Sequence, residues 1–138
     1  MSPLLVLDAF ALLAMFKAEP GGPRVRELIQ EATSGEVTLA MASVNLGEVF
    51  YKTVRQSGLE RAKAVLAMAK QFPIEFPPVD QDLALAAAEI KGVHRISYAD
   101  CIAAALAQRL GATLVTGDEG FRQIPDLQVE WLPKMSIA

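Results

Sequence analysis

Residues 97–120 read Ser97-Tyr98-Ala99-Asp100-Cys101-Ile102-Ala103-Ala104-Ala105-Leu106-Ala107-Gln108-Arg109-Leu110-Gly111-Ala112-Thr113-Leu114-Val115-Thr116-Gly117-Asp118-Glu119-Gly120. Ala99, Ile102, Ala103 and Leu106 recur at helical spacing, which predicts a helix over 97–110. Gly111 stands where a left-handed residue stops one. Ala112–Val115 then reads as a short apolar strand and Thr116–Gly120 as a polar turn. A helix joined to a strand by so short a connection belongs to a wound α/β sheet.

The rest of the chain alternates in the same way. Leu4–Leu7 is an apolar run ending at Asp8, the pattern of a strand buried on both faces. Ala9–Lys17 reads as a short helix closed by Pro20-Gly21-Gly22-Pro23, and Arg24–Ala32 carries a helical stripe broken by Ser34-Gly35. Val37–Ala40 is a second strand. Ser43–Gln56 and Leu59–Phe72 are helical segments split by Ser57-Gly58. Ile74–Phe76 is a short strand, Asp82–Val93 a helix and Gln128–Leu132 a last strand. Strands alternating with helices imply crossover connections. The expected fold is a three-layer α/β/α sandwich with a mostly parallel central sheet, one domain over residues 1–138.

Composition narrows the chemistry. With 52% hydrophobic and 21% charged residues, the chain has enough apolar surface for a core and is not a disordered sequence. A single cysteine, Cys101, excludes an internal disulfide and a cysteine zinc cluster; a single histidine, His94, excludes a multi-histidine metal site. Ala9–Phe16 is the one stretch resembling a targeting signal, but no basic residue precedes it and Lys17 closes it. A membrane span takes about 20 apolar residues, so a cytoplasmic protein is expected. The net charge of −3 argues against a polyanionic partner unless the cations are locally clustered.

In wound sheets, ligands lie beyond the carboxyl ends of the strands. Asp8 follows the first strand directly and Asp118 follows the Ala112–Val115 strand; Glu48 and Asp100 fall in the expected first turns of two helices. Each acid has an ordinary structural reading. Asp8 can cap the next helix, and Asn45-Leu46-Gly47-Glu48 fits a capping box. Glu48 and Lys52 are spaced for an ion pair, Ser97-x-x-Asp100 is a weaker capping box, and Asp118 sits among turn glycines. Together, four carboxylates on one rim would repel and raise each other's pKa unless a cation neutralised them. Oxygen ligands without His or Cys suit Mg²⁺ or Mn²⁺, and such ions activate water and polarise phosphoryl oxygens. Metal-assisted phosphodiester hydrolysis is the reaction class that follows.

The order Asp8, Glu48, Asp100, Asp118 resembles the acidic quartet of the PIN-domain ribonucleases. The segment from Ile96 to Phe121, an Asp on an Ala-rich helix followed by a strand, Thr-x-Asp and Phe, is similar to that family's most diagnostic stretch. Leu5-Val6-Leu7-Asp8 and Ser43-x-x-x-x-Glu48 match its earlier motifs. The length matches stand-alone VapC-type toxins of prokaryotic toxin–antitoxin pairs. The resemblance implies an Mg²⁺- or Mn²⁺-dependent endoribonuclease, commonly a homodimer, inhibited by a VapB-like antitoxin. It assigns Asp8 and Asp100 as principal metal carboxylates, completed by Glu48 and Asp118 and braced by the Thr116 hydroxyl. The family often has Ser or Thr after the first Asp, where this chain has Ala9.

An RNA substrate needs cations. Lys52 and Arg55 share a helix with Glu48 and are the candidate RNA contacts; Arg24, Arg26, Arg95 and Arg122 lie near expected element ends. The competing reading for each is a solvated face. Cys101 reads as a small buried residue and His94 as a surface or packing residue. Tyr98, Trp131 and the phenylalanines read as core or interface, and exposed Leu and Met on the paired helices of 43–72 as a dimer or antitoxin surface. A binding module that keeps the acids without cutting is the main rival. Two phosphotransfer folds fit less well: Phe10 occupies the place where a haloacid-dehalogenase-type phosphatase has its second Asp, and Ile74-Glu75-Phe76-Pro77 lacks a response regulator's phosphoacceptor.

Overall fold

The computed structural model describes residues 2–135. Five strands, β1 (Leu4–Leu7), β2 (Thr38–Ala40), β3 (Ile74–Glu75), β4 (Thr113–Thr116) and β5 (Val129–Trp131), form one sheet in the order β3-β2-β1-β4-β5. Every pairing is parallel; Leu5 of β1 faces Leu39 of β2 on one side and Thr113 of β4 on the other. Six helices accompany them: α1 (Ala9–Phe16), α2 (Gly22–Thr33), α3 (Ser43–Ser57), α4 (Leu59–Gln71), α5 (Gln81–Val93) and α6 (Tyr98–Leu110). The expected α/β/α sandwich is therefore present, and its sheet is parallel throughout.

Strand alternation divides the core. Leu5 and Leu7 of β1 point to the face covered by α1, α2, α3 and α4, among Leu12, Val25, Leu28, Val49 and Val65. Val6, between them, points to the opposite face, among Leu83 and Ala87 of α5 and Cys101–Ala107 of α6. The first face is built of large branched side chains, the second largely of alanine. Ala103, Ala104 and Ala107 of α6 are fully buried. Small side chains let the α6 backbone lie close to the sheet, which fixes where its first turn ends up.

The strand order places a reversal between β1 and β4. The chain winds outward from β1 through β2 to β3, then returns by α5 and α6 to lay β4 on the other side of β1. Such a switch point leaves a crevice at the strand carboxyl ends. Residues following β1 and β4 border it.

Local signals act as read, with three differences. Asp8 caps α1, accepting from the Ala11 N–H at 2.9 Å, and Ser97 caps α6, accepting from the Asp100 N–H at 3.1 Å. Gly111 ends α6 in the left-handed region at φ 62°. The Asn45–Glu48 capping box does not form: α3 begins at Ser43 after Ala42, with no side-chain cap, so Glu48 lies in the second turn. The helix has already started before Asn45, and its dipole favours Glu48 ionisation less than a first-turn position would. The turn after β4 continues as a 3₁₀ helix, Glu119–Gln123, capped by Asp118. Pairing with the neighbouring strands also shortens the expected 74–76 and 128–132 strands. Among the described residues, no helix is long and apolar enough to cross a membrane.

Candidate active site

A cleft of about 530 Å³ opens at the switch point, and Asp8, Glu48, Asp100 and Asp118 all line it. They arrive from four places: the end of β1, the second turn of α3, the first turn of α6 and the loop after β4. Ala9, Phe10, Leu13, Lys17, Glu19, Tyr51, Lys52 and Ser97 complete the lining.

Asp8 is the most deeply set, at 2% exposure. One carboxylate oxygen accepts from Ala11 N–H; the other accepts from the Thr116 hydroxyl. That hydroxyl oxygen in turn accepts from the Asp118 N–H at 3.0 Å, and Asp118 Oδ1 accepts from the Gly120 N–H at 2.9 Å. The Thr116 hydroxyl thus links the first and last acids. It also supplies Asp8 with a hydroxyl partner, which Ala9 lacks. Gly117, between them, lies against Phe10: a Cβ there would stand 2.4 Å from the ring, so any side chain would displace this wall of the cleft.

Glu48 is held from two sides. Lys52 Nζ stands 3.6 Å from Oε2, the i,i+4 pair expected, and Asn45 Nδ2 donates to Oε1 at 2.8 Å. The same Asn45 Nδ2 donates to the Ala99 carbonyl at 3.1 Å. Asn45 therefore ties Glu48 of α3 to the residue preceding Asp100 on α6. It is fully buried, and among the described residues its Oδ1 has no hydrogen-bond partner. The local pattern marks Asn45 as a helix cap; helical spacing does place Asn45 and Glu48 one turn apart, but nothing local identifies Ala99 as the second partner. Glu19, a fifth acid on the cleft, carries no local signal either, and Lys17 lies 3.8 Å from it.

Crowding shows in the acidities. Burial pushes Asp8 up to about 7, against the pull of its Thr116 and Ala11 hydrogen bonds, and the nearby Asp100 and Asp118 charges add to the rise. Asp100 is pushed up to about 6, first by burial and then by Asp118, with Glu48 adding and Ser97 and Lys52 opposing. Next to it, burial raises the Cys101 thiol, with Lys91 pulling the other way. Cys101 is buried and free, as expected.

The donor set, all carboxylate oxygen, is the kind a hard divalent ion takes. The spacing is open, however. Among the described residues, no three His, Cys, Asp or Glu side chains stand close enough to hold one ion between them.

The structure sorts the candidate cations. Lys52 lines the cleft; Arg55 does not, and instead lies over the Tyr51 ring, 4.9 Å from its centre. Arg24 is committed to Glu130 at 2.8 Å and to Glu27 and Glu31, which takes it out of the set. Arg122 pairs with Glu119 and lies 4.1 Å from the Trp131 ring centre. His94 ends α5. Tyr98, 42% exposed, donates its hydroxyl to the Ala84 carbonyl at 2.7 Å, tying α6 to α5, whereas Phe121 is core.

The family model of the PIN domain matches residues 5–127. No curated protein sequence matches the chain significantly. Among solved structures, VapBC2 from Rickettsia felis bound to a promoter DNA fragment superposes with a TM-score of 0.73 at 23% identity, covering 94% of this chain and 99% of that one. VapC20 from Mycobacterium tuberculosis, described as a sarcin–ricin loop cleaving toxin, gives 0.72 at 19% identity, covering 94% and 99%. DNA-bound VapBC from Salmonella typhimurium gives 0.71 at 22%, covering 94% and 98%. At these identities the likeness is one of fold. The family match over most of the sequence, on a parallel sheet with four acids at its switch point, establishes that this chain belongs to the PIN domain family.

Proposed function

We propose that this protein is an endoribonuclease dependent on Mg²⁺ or Mn²⁺ and the toxin half of a toxin–antitoxin pair. One observation carries the reading: carboxylates from four separate elements face a single cleft, and burial there makes Asp8 and Asp100 weaker acids than ordinary carboxylates. A cluster of this kind disfavours its own ionisation, and a divalent cation would offset the repulsion. Asp8, Asp100, Glu48 and Asp118 are the residues that would hold it, and they would have to draw together around the ion from their open metal-free spacing. When bound, such an ion supplies water activation and charge stabilisation for attack on a phosphodiester. The chain's own contribution is positional: Thr116 aims Asp8, Asn45 and Lys52 aim Glu48, and Ser97 organises the first turn of α6. Lys52, beside the acids, is placed to meet a substrate phosphate; Arg55 is a more distant candidate on the same helix.

The fold neighbours support the biological half of the reading, being VapBC complexes and a VapC toxin. On that basis the partners are an RNA substrate, a VapB-like antitoxin and a second copy of the chain, in the cytoplasm.

The open spacing of the acids favours a second reading, a PIN-fold module that binds RNA or protein without cutting. A pool of structured RNAs incubated with and without Mg²⁺ or Mn²⁺ separates the two. Cleavage that appears with metal and disappears with chelator supports the nuclease. Intact RNA, bound equally with and without metal, overturns it in favour of the binding module.

A further inference from the structure

Beside the acid cleft lies a second depression, of about 620 Å³ and open to solvent, lined by Lys91, Gly92, Val93, His94, Arg95, Ile96 and Ser97. It joins the end of α5 to the cap of α6, and Ser97 borders both hollows. Its lining contains no Asp or Glu, in a protein whose net charge is −3. The loop is anchored rather than free-standing: the Arg95 N–H donates to Gln123 Oε1 at 3.3 Å on the 3₁₀ helix, and Ile96 is buried.

The basic residues here differ from those elsewhere around the cleft. Lys17 stands 3.8 Å from Glu19, Lys52 3.6 Å from Glu48 and Lys134 3.3 Å from Glu119, and Arg122 also pairs with Glu119. Among the described residues, Lys91 and Arg95 have no carboxylate within ion-pair distance, and both are exposed. A strand of RNA entering the acid cleft meets strong negative potential except where a cation compensates it. A hollow on the Glu19 side of the cleft also holds an exposed arginine, Arg26, but carries that acid in its lining, whereas the 91–97 hollow carries none.

We infer that the 91–97 depression is a phosphate-backbone subsite, in which Lys91 and Arg95 hold single-stranded RNA that runs past Ser97 out of the acid cleft. The inference rests on the nuclease reading and extends it: Asp8, Glu48, Asp100 and Asp118 define where the strand is acted on, and the α5–α6 loop sets the direction in which it leaves. Phosphate contacts of this type position a strand without reading its bases.

The test uses the full-length protein and random-sequence, 5′-labelled oligoribonucleotides of four and sixteen nucleotides. Affinity is followed by fluorescence anisotropy over a KCl series, with cleavage in Mn²⁺ measured in parallel. Lys91→Ala/Arg95→Ala is compared with the wild type and with Arg61→Ala/Lys70→Ala, which removes two charges from α4. On the sixteen-mer, the 91/95 variant is expected to bind about ten-fold more weakly and to show a salt slope shallower by about 1.4, from two single-strand phosphate contacts. The four-mer, with few phosphates beyond those at the acid cleft, is expected to bind and to be cut nearly as by the wild type. An unchanged sixteen-mer affinity and slope overturns the subsite. So does an equal loss on both lengths, or an equal loss in the α4 control. Wild-type protein that neither binds nor cuts either RNA overturns the nuclease reading itself, a result distinct from any of these.

Discussion

The acid cleft and the basic depression share Ser97, but they are constructed in opposite ways. The cleft collects its acids from four elements spread over the chain and locks them with buried hydrogen bonds. The depression is seven consecutive residues, mostly exposed and tied down by one loop contact and one buried isoleucine. Charge has different consequences in the two settings. In the cleft, desolvation makes the Asp8 and Asp100 charges a liability to the fold; on the loop, water screens the cations and they cost the fold little. Substitution in the cleft should therefore alter both stability and chemistry, and on the loop binding alone.

The sharpest way to break this contrast is Asp8→Asn. Loss of one carboxylate is expected to reduce Mn²⁺-dependent cleavage by about 10³-fold, the scale of removing a principal charge-stabilising group. Thermal melts of the metal-free variant at neutral pH should show no loss of stability, because a buried charge has gone while the shape remains. Undiminished cleavage would remove Asp8 from the site.

Asn45→Ala tests whether the cleft's geometry depends on its hidden clamp. Glu48 loses its 2.8 Å donor and α3 loses its bond to the Ala99 carbonyl. Cleavage should fall about ten-fold, the Mn²⁺ concentration for half-activation should rise, and stability should drop by about 2 kcal/mol, as for two buried hydrogen bonds. A melting shift with unaltered Mn²⁺ dependence would leave Asn45 a purely structural residue.

Acid–base linkage gives a smaller effect. Asp8 at about 7 and Asp100 at about 6 both lie above the ordinary value of 3.8. Between these limits the native state holds more protons than the unfolded chain, so stability falls as pH rises. Their contribution is fully present below about pH 4 and is lost by about pH 7. The metal-free protein should consequently melt at a lower temperature at pH 7.5 than at pH 5, and Mn²⁺ should narrow the gap. Asp8→Asn should flatten the profile; a metal-free profile that climbs with pH would contradict the burial argument.

Lys52→Ala gives the smallest change and sharpens the comparison. Its ion pair with Glu48 is partly exposed on the lysine side, so stability should move by less than about 1 kcal/mol. RNA affinity should weaken about three-fold with a slightly shallower salt slope. An unchanged slope would assign Lys52 wholly to Glu48.

Most elements were legible because their signals are local. Gly111 stops α6 in a left-handed conformation, Asp8 and Ser97 cap the helices that follow them, and the Ala-rich run becomes the buried α6. The misread region was the start of α3. Asn45 and Glu48 have the spacing of a capping box, but the helix begins two residues earlier, and the amide is spent on a side chain and a carbonyl instead of on a helix end. The cations were legible only as a set of possibilities. Arg24 turned out to be occupied by Glu130, a partner 106 residues away, and no spacing rule announces that pairing.

Sequence by itself determined the succession of strands and helices and the identity of the four acids, because periodicity, glycine stops and strand-end residues act within a few positions. Tertiary structure alone decided that these acids share a cleft, that Thr116 reaches Asp8 across 108 residues, and that Asn45 reaches Ala99 across 54. It also decided that Lys91 and Arg95 keep their charge available while Arg24 and Arg122 do not. The physical reason is range. Backbone propensity is settled between near neighbours, whereas desolvation, repulsion and ion pairing depend on which distant side chains the β1–β4 switch point brings together.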